Sequence, residues 1–371
     1  MELVVSKTDL LRELQLFQGI VERKNTIPIL ANILVSAEEN NLSFLATDLE
    51  VGLRSRCSAS ITTPGTITIP AKKLFEIVRS LPETDIRIES DEGAVKVEAD
   101  RFSSRMQTLP KEDFPALPEP DLSTQVMLPR AELREMIAKT QFAITAEDTR
   151  YFLNGALFMI QPKELILVAT DGHRLAMISA PRRKKVKKSS EPEEKVILPK
   201  KTLLELGRLM AEGEGEIGYV KGENHLFFSV GGRGLISRMI NGQFPAYERV
   251  IPKDNDKKVV FERERLMGAV KRVALLSNER SRVVKFEIGK NSVQIASNSP
   301  EFGEAREELL IDYQGELVQI CFNAQYVLDF LSAVQTDTVE LGFKDETTQA
   351  VMRPEGMGDY NYQYVIMPMR V

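Results

Sequence analysis

Two cysteines in 371 residues, Cys57 and Cys321, are too few and too far apart to form a disulfide framework. That usage fits a reducing cytoplasm, the expected location. Histidine is as scarce: His173 and His225 are the only two, and neither has a cysteine or second histidine at ligand spacing, so no metal site is expected. No apolar run approaches the roughly 20 residues that cross a bilayer. The N-terminal stretch MELVVSKTDLLRELQLF carries Glu2, Lys7, Asp9, Arg12 and Glu13, which does not read as a secretory signal. No G-x-x-x-x-G-K-[ST] and no G-x-S-x-G is present, which removes the P-loop and the nucleophile elbow. Gly213 to Gly218, GEGEIG, fits G-x-G-x-x-G, but it follows a helical pattern and precedes a strand. A dinucleotide site needs the opposite order, so the stretch reads as a turn and no cofactor is expected.

What is present is ordinary globular material, 43% apolar and 28% charged. A net charge of −5 argues against a nucleic-acid partner, although net charge is a weak guide when charges segregate onto faces.

The organising feature is an internal repeat. LSFLATDLEVGL at 42–53 and LILVATDGHRLAM at 165–177 share Ala-Thr-Asp at an offset of 123. VQIASNSPEFGEA at 293–305 is a degenerate third copy, offset by 127 from the second. A second landmark keeps step: ITIPAKKLFEIVRSL at 67–81, VILPKKTLLELGRLM at 196–210 and QICFNAQYVLDFLSAV at 319–334. Each is a short apolar strand running into a helix, with Pro70, Pro199 or the capping residue Asn323 at the entry. Apolar positions 74, 77, 78, 81, then 203, 206, 210, then 327, 330, 331, 334 give one buried stripe per helix. Another helix opens each unit, striped by Leu10, Leu14, Phe17 and Val21, by Leu133, Met136, Ile137 and Thr140, and by Leu266, Val270 and Val273. Two copies also close alike, with Phe114-Pro115-Ala116 and Phe244-Pro245-Ala246.

The pattern predicts an α+β protein of three repeated domains, each an antiparallel sheet with two helices. Boundaries fall at the Pro-containing linkers Pro118-Glu119-Pro120 and Pro252-Lys253-Asp254, giving 1–119, 120–252 and 253–371. Most helices carry cations at polar positions: Lys72, Lys73 and Arg79; Arg130, Arg134 and Lys139; Lys200, Lys201 and Arg208; Arg263, Arg265, Lys271 and Arg272. They predict a basic helical face, or simply a solvated one. The charge run PRRKKVKKSSEPEEK at 181–195 reads as a solvated loop, with a DNA-touching basic finger as the alternative.

Asp171-Gly172-His173-Arg174 invites a catalytic reading, a hydrolase using Asp171 and His173. The repeat weakens it, because the other copies hold Asp48-Leu49-Glu50 and Asn298-Ser299-Pro300 at the same place.

ATDGHRLA at 169–176, FPAYERVIP at 244–252, LSNE at 276–279 and the terminal YVIMPMRV at 364–371, together with the threefold repeat, resemble the bacterial β sliding clamp family. These are the processivity subunits of the replicative DNA polymerase III, and the likeness covers the whole chain. It implies a non-catalytic, head-to-tail homodimer that closes a ring of six domains around double-stranded DNA, with helices lining the hole. A non-DNA scaffold oligomer is the remaining alternative. The resemblance places Arg23, Lys24, Lys200 and Lys201 near DNA, where cations give sequence-independent attraction. It implies a peptide groove built from Leu153, Thr170, Gly172, His173, Arg174, Leu175, Pro245, Arg249 and Val250. The C-terminal strand adds Val365, Met367, Pro368, Met369 and Arg370, with Asn323 and Tyr326 at the edge. The implied partners are the polymerase, the clamp loader and repair proteins, each offering a short peptide. Two apolar anchors worth about 1.5–3 kcal/mol each give a weak ligand, roughly micromolar to millimolar. The resemblance pairs Ile77 and Phe102 of one copy with Leu275 and Leu276 of the next. Glu147 stands where the family often has Gln, among the positions expected near DNA, and Ser281, Thr347 and Gln349 depart from the family pattern at the groove and predict a more polar rim.

Overall fold

The computed structural model describes residues 1–21, 27–91, 93–145, 148–182 and 193–370. Arg23, Lys24, Glu147 and most of the 181–195 charge run lie outside the described residues. Six α-helices are described, two per repeat: α1 (Lys7–Phe17), α2 (Ala71–Ser80), α3 (Arg130–Thr140), α4 (Lys200–Leu209), α5 (Arg263–Ala274) and α6 (Ala324–Ala333). The remaining elements are antiparallel strands and short 3₁₀ turns, so the fold is α+β. Among the described residues, no helix is long and apolar enough to cross a membrane.

The helices follow their stripes. Leu10, Leu14 and Phe17 of α1 and Leu266, Val270 and Val273 of α5 are buried. Asn323 caps α6: its Oδ1 accepts from the N–H groups of Gln325 (2.9 Å) and Tyr326 (3.3 Å). Ile77 departs from its stripe. The helix buries Ala71, Leu74 and Val78 and leaves Ile77 half-exposed.

One device recurs three times. The first residue of each opening helix is a cation whose side chain reaches the carbonyl end of the second helix. Lys7 Nζ donates to Leu81 O beyond α2. Arg130 donates to Leu209 O (3.0 Å) and Met210 O (3.4 Å) at the end of α4. Arg263 donates to Leu331 O (3.2 Å) and Thr336 O (3.0 Å) at the end of α6. The backbone N–H groups of the same three residues donate to Thr84 O, Gly215 O and Asp337 O. Terminal carbonyls of a helix have no intrahelical partner and carry partial negative charge, so a cation there satisfies and stabilises them.

The chain divides into two compact units, 1–134 with 201–239, and 135–200 with 240–371. The first holds a five-stranded sheet in the order Ser60–Thr63, Glu2–Ser6, Asp85–Asp91, Ala94–Ala99, Phe102–Gln107. Its second sheet has eight strands: Val126–Pro129, Glu216–Lys221, His225–Val230 and Arg233–Arg238, continued by Val51–Ser58, Asn41–Thr47, Asn32–Glu38 and Gly65–Pro70. The junction pairs Leu235 with Leu53.

The second unit repeats the design. Its eight-stranded sheet runs Glu194–Pro199, Gly155–Ile160, Glu164–Thr170, Arg174–Pro181, Asn361–Ile366, Ala350–Pro354, Thr338–Phe343, Lys257–Glu262. Here the junction pairs Leu175 with Val365. A four-stranded sheet, Gly303–Leu310, Ser292–Ser299, Val283–Gly289, Val318–Asn323, completes the unit. Strict alternation in Val283–Gly289 buries Val284, Phe286 and Ile288 on one face.

Candidate functional site

The site in the second unit is built on the hairpin Glu164–Pro181. Gly172 takes φ +87°, the conformation that an Asp-Gly turn needs and that a β-carbon disfavours. Asp171 Oδ1 accepts from the backbone N–H groups of His173 (2.9 Å) and Arg174 (3.0 Å), and Oδ2 from Arg174 Nε (3.0 Å). Thr170 Oγ1 donates to Arg174 O (2.6 Å) and accepts from Gly172 N (3.1 Å). The Asp171 carboxylate is thus occupied in holding the turn. Its bond to His173 goes to the backbone rather than the imidazole, which is not the arrangement of a general base and its orienting acid.

Arg174 is the strut of this turn. Its side chain is 9% exposed and donates to Asp329 Oδ2 (2.6 Å) on α6 and to Phe142 O (2.6 Å). The guanidinium also lies 4.3 Å from the Tyr326 ring centroid and 5.4 Å from that of Phe142. Tyr364 OH, from the neighbouring strand, donates to Tyr326 O (2.9 Å).

The C-terminal segment joins this wall directly. Arg174 and Leu175 pair in register with Ile366 and Val365, and Met367 N donates to His173 O (3.0 Å). Met369 N donates to Cys321 O (2.8 Å), next to Phe322 and Asn323. Met367, Pro368 and Met369 are half-buried and Arg370 is exposed. Beside them lies an apolar bed on the sheet: Leu157, Met159, Ile166, Val168, Leu175, Ile197, Val351 and Val365, covered by Phe244 and Tyr247. Burial, with Glu248 nearby, pushes the Tyr247 phenol up to about 12, so it stays neutral in this setting. Pro245, Arg249 and Val250 stand exposed on the same covering segment.

The structure therefore brings Thr170 to Leu175, Val365 to Met369, Asn323, Tyr326 and the 244–250 segment to one region. Leu153 differs, being 1% exposed beneath the surface. Phe244, Tyr247, Leu157 and Met159 are not among the residues expected at the site, although Phe244 and Tyr247 lie in the motif FPAYERVIP. Gly155–Ile160 is buried at every position and Glu164–Thr170 at all but its first, so both sheet faces are covered; in the sequence they appear only as the apolar runs GALFMI and LILVAT.

The basic residues split differently. Lys200 Nζ donates to Ile144 O (3.0 Å), and burial lowers its pKa, aided by Arg174. Lys201 Nζ donates to Ile20 O (3.3 Å) and pairs with Asp48. Both ammonium groups therefore hold backbone within their own units. Arg130 and Lys139 also depart from the expected solvated helical face. Arg130 is buried on the carbonyl end of α4, and Lys139, 2% exposed, donates to Ala333 O (3.0 Å) at the end of α6. Lys72, Lys73, Arg79, Arg134, Arg265, Lys271 and Arg272 do face solvent.

Of the four residues expected at a subunit contact, none is buried: Phe102 is 40% and Leu275 78% exposed, and Ile77 and Leu276 are intermediate. Leu275 and Phe302 line a cavity of about 580 Å³ with Lys271, Arg282 and Leu328. Among the described residues, no three His, Cys, Asp or Glu side chains gather as a metal site.

Three family models cover nearly the whole chain, described as the DNA polymerase III beta subunit N-terminal domain (1–118), central domain (127–246) and C-terminal domain (248–370). Proteins named beta sliding clamp from Pseudomonas putida and Caulobacter vibrioides are 40% and 38% identical, each aligned over all of both chains. The solved DNA polymerase III subunit beta of Pseudomonas aeruginosa, 39% identical, superposes over the full length of both chains with a TM-score of 0.92. A DnaN sliding clamp from the same organism, bound to griselimycin, gives the same values. With family models over nearly every residue and full-length relatives near 40% identity, this chain belongs to the DNA polymerase III beta subunit family, the sliding clamps.

Proposed function

We propose that this chain acts, without catalysis, as a homodimeric ring around double-stranded DNA that tethers the replicative polymerase and other DNA-processing proteins. The division into 1–119, 120–252 and 253–371 belongs to this reading. The observation that carries it is a pair of open sheet edges with complementary charge. Phe102–Gln107 is the outermost strand of its sheet and carries Arg105, with Arg101 just before it. Gly303–Leu310 is outermost in its own sheet and carries Glu304, Glu307 and Glu308 with one Arg306. An exposed strand edge is a template for pairing with another chain. Here a basic edge suits the acidic edge of a second copy, and Phe102 and Leu275 beside them supply exposed apolar surface. Two such head-to-tail contacts close a ring.

Within that ring, DNA needs only weak, sequence-independent attraction, which solvated helix cations supply. Arg23 and Lys24 are the cations proposed to meet DNA. Lys200 and Lys201 are proposed to support it by holding the backbone around Ile144 and Ile20. Thr170 to Leu175, Pro245, Arg249, Val250 and Val365 to Arg370 form the groove for partner peptides, with Asn323 and Tyr326 at its edge and Leu153 beneath it. Half-buried Met367 and Met369 suit a site that repacks around different ligands.

The test is solution mass together with a charge change. The chain should sediment at twice 41.8 kDa, and Leu275→Glu should shift it toward a single chain. A monomer at micromolar concentration would reject the ring.

A further inference from the structure

The groove has a counterpart in the first unit, rebuilt with different chemistry. Asn32–Glu38, Asn41–Thr47 and Val51–Ser58 match Gly155–Ile160, Glu164–Thr170 and Arg174–Pro181 at a uniform offset of 123, so their side chains compare one to one. The apolar bed Leu157, Met159, Ile166, Val168, Leu175 and Met177 becomes Leu34, Ser36, Ser43, Leu45, Gly52 and Arg54. The covering segment is kept. Leu117, following Phe114-Pro115-Ala116, packs on Val220, Phe227 and Ile236 and lies so close over Gly52 that a β-carbon there would stand 2.6 Å from it. What remains is a cavity of about 370 Å³ lined by Leu34, Ser36, Ser43, Leu45, Arg54 and Arg56.

Register arranges this lining in two rows across the sheet. Thr66, Ser36, Ser43 and Arg56 form one, and Thr68, Leu34, Leu45 and Arg54 the other. Both arginines face away from α1, because the intervening Ser55 donates to Glu13 on that helix (2.7 Å). Arg54 is incompletely satisfied. Nη1 pairs with Glu119 and Nη2 donates to Leu117 O at 3.4 Å, but Nε is buried with no acceptor among the described residues. Arg56 is exposed and has no ion-pair partner among them.

We propose that this cavity docks an extended acidic segment of a partner protein, laid across the strands. Its carboxylates sit on Arg54 and Arg56, and one aliphatic side chain sits on Leu34 and Leu45. Four strands about 4.8 Å apart span about 14 Å, the length of about four extended residues. The Ser36 and Ser43 hydroxyls can donate to or accept from the segment's backbone. Glu119 occupies Arg54 in the free protein, so a ligand carboxylate replaces an existing ion pair. The site belongs to the first unit and the groove beside the C-terminal strand to the second, and the proposal rests on the first unit's own lining rather than on the clamp reading.

The test is fluorescence anisotropy of fluorescein-labelled Glu-Leu-Glu-Glu titrated with the full-length chain at low salt, with Lys-Leu-Lys-Lys and a short oligothymidine as comparison probes. The acidic peptide should bind and the lysine peptide should not. Arg56→Glu, which removes a side chain with no ion pair to lose, should weaken binding by about tenfold or more and admit the lysine peptide. Glu119→Gln should tighten acidic binding several-fold by releasing Arg54. Equal binding by wild type and Arg56→Glu overturns the proposal. So does loss on Met367→Ala without loss on Arg56→Glu, and so does an oligothymidine that binds through Arg56 when the acidic peptide does not.

Discussion

Arg174 Nη1 donates a 2.6 Å hydrogen bond to Asp329 Oδ2, joining the hairpin turn to α6 across 155 residues of sequence. The same guanidinium lies over Tyr326 and holds Asp171, so one side chain fixes the turn, the helix and an aromatic ring together. A residue that the family resemblance expects in a peptide groove thus serves chiefly to hold the turn against α6.

Arg174→Ala should therefore act on both stability and binding. It leaves Asp171 and Asp329 partly buried without their cation, a loss of about 3 kcal/mol. Asp329→Asn keeps the shape and should cost less, about 1–2 kcal/mol. Thermal melts with a peptide titration check this. Equal, negligible effects from both variants would show that the pair does not hold the wall.

A second buried ion pair sets an acid limit for the first unit. Glu13, 1% exposed, accepts from Arg233 through both oxygens (2.7 and 2.9 Å) and from Ser55 (2.7 Å). Burial works to raise its pKa, but the bonds from Arg233, Ser55 and Arg12 outweigh it and hold the carboxyl below its ordinary 4.5. A depressed folded value contributes stability that is present above the unfolded pKa and lost as pH falls through the folded one. Wild type should thus lose melting temperature below about pH 4.5 more steeply than Glu13→Gln. Parallel curves would contradict the assignment. Arg233→Ala at neutral pH strands the carboxylate and should cost about 3 kcal/mol, within the range for a broken buried pair.

Gly155 gives a backbone prediction. A β-carbon there would stand 2.4 Å from Leu198 O and 2.9 Å from Ile197 Cγ2. The obstruction is paired sheet backbone, so Gly155→Ala should destabilise by about 1–3 kcal/mol. Urea titration measures it, and an unchanged midpoint would show that the sheet edge yields freely.

Much of this architecture was legible in the sequence because repetition multiplies weak signals. Three copies of an apolar stripe located six helices, and Asn323 could be read as a cap from its place in the third copy. The roles of individual cations were less legible. Lys7, Arg130 and Arg263 look like solvated helix charges, yet each closes the carbonyl end of the following helix. Lys139 is hidden for the same reason, and Lys200 and Lys201 turn inward to backbone carbonyls. A one-dimensional pattern records that a position is polar, not which distant carbonyl it meets. The polar turn stood out in Thr170 to Arg174, whereas the apolar bed beside it did not. Leu157, Met159, Ile166 and Val168 look like core, and only the covering segment at 244–247 shows that they form a second buried face.

A closed ring is held on DNA by topology, so the most direct measurement is retention on DNA of different topology. Protein assembled on nicked circular duplex should stay bound through gel filtration at moderate salt, when simple phosphate contacts weaken. It should be released once the circle is cut to a linear form with free ends. Equal loss from circular and linear DNA would contradict the ring.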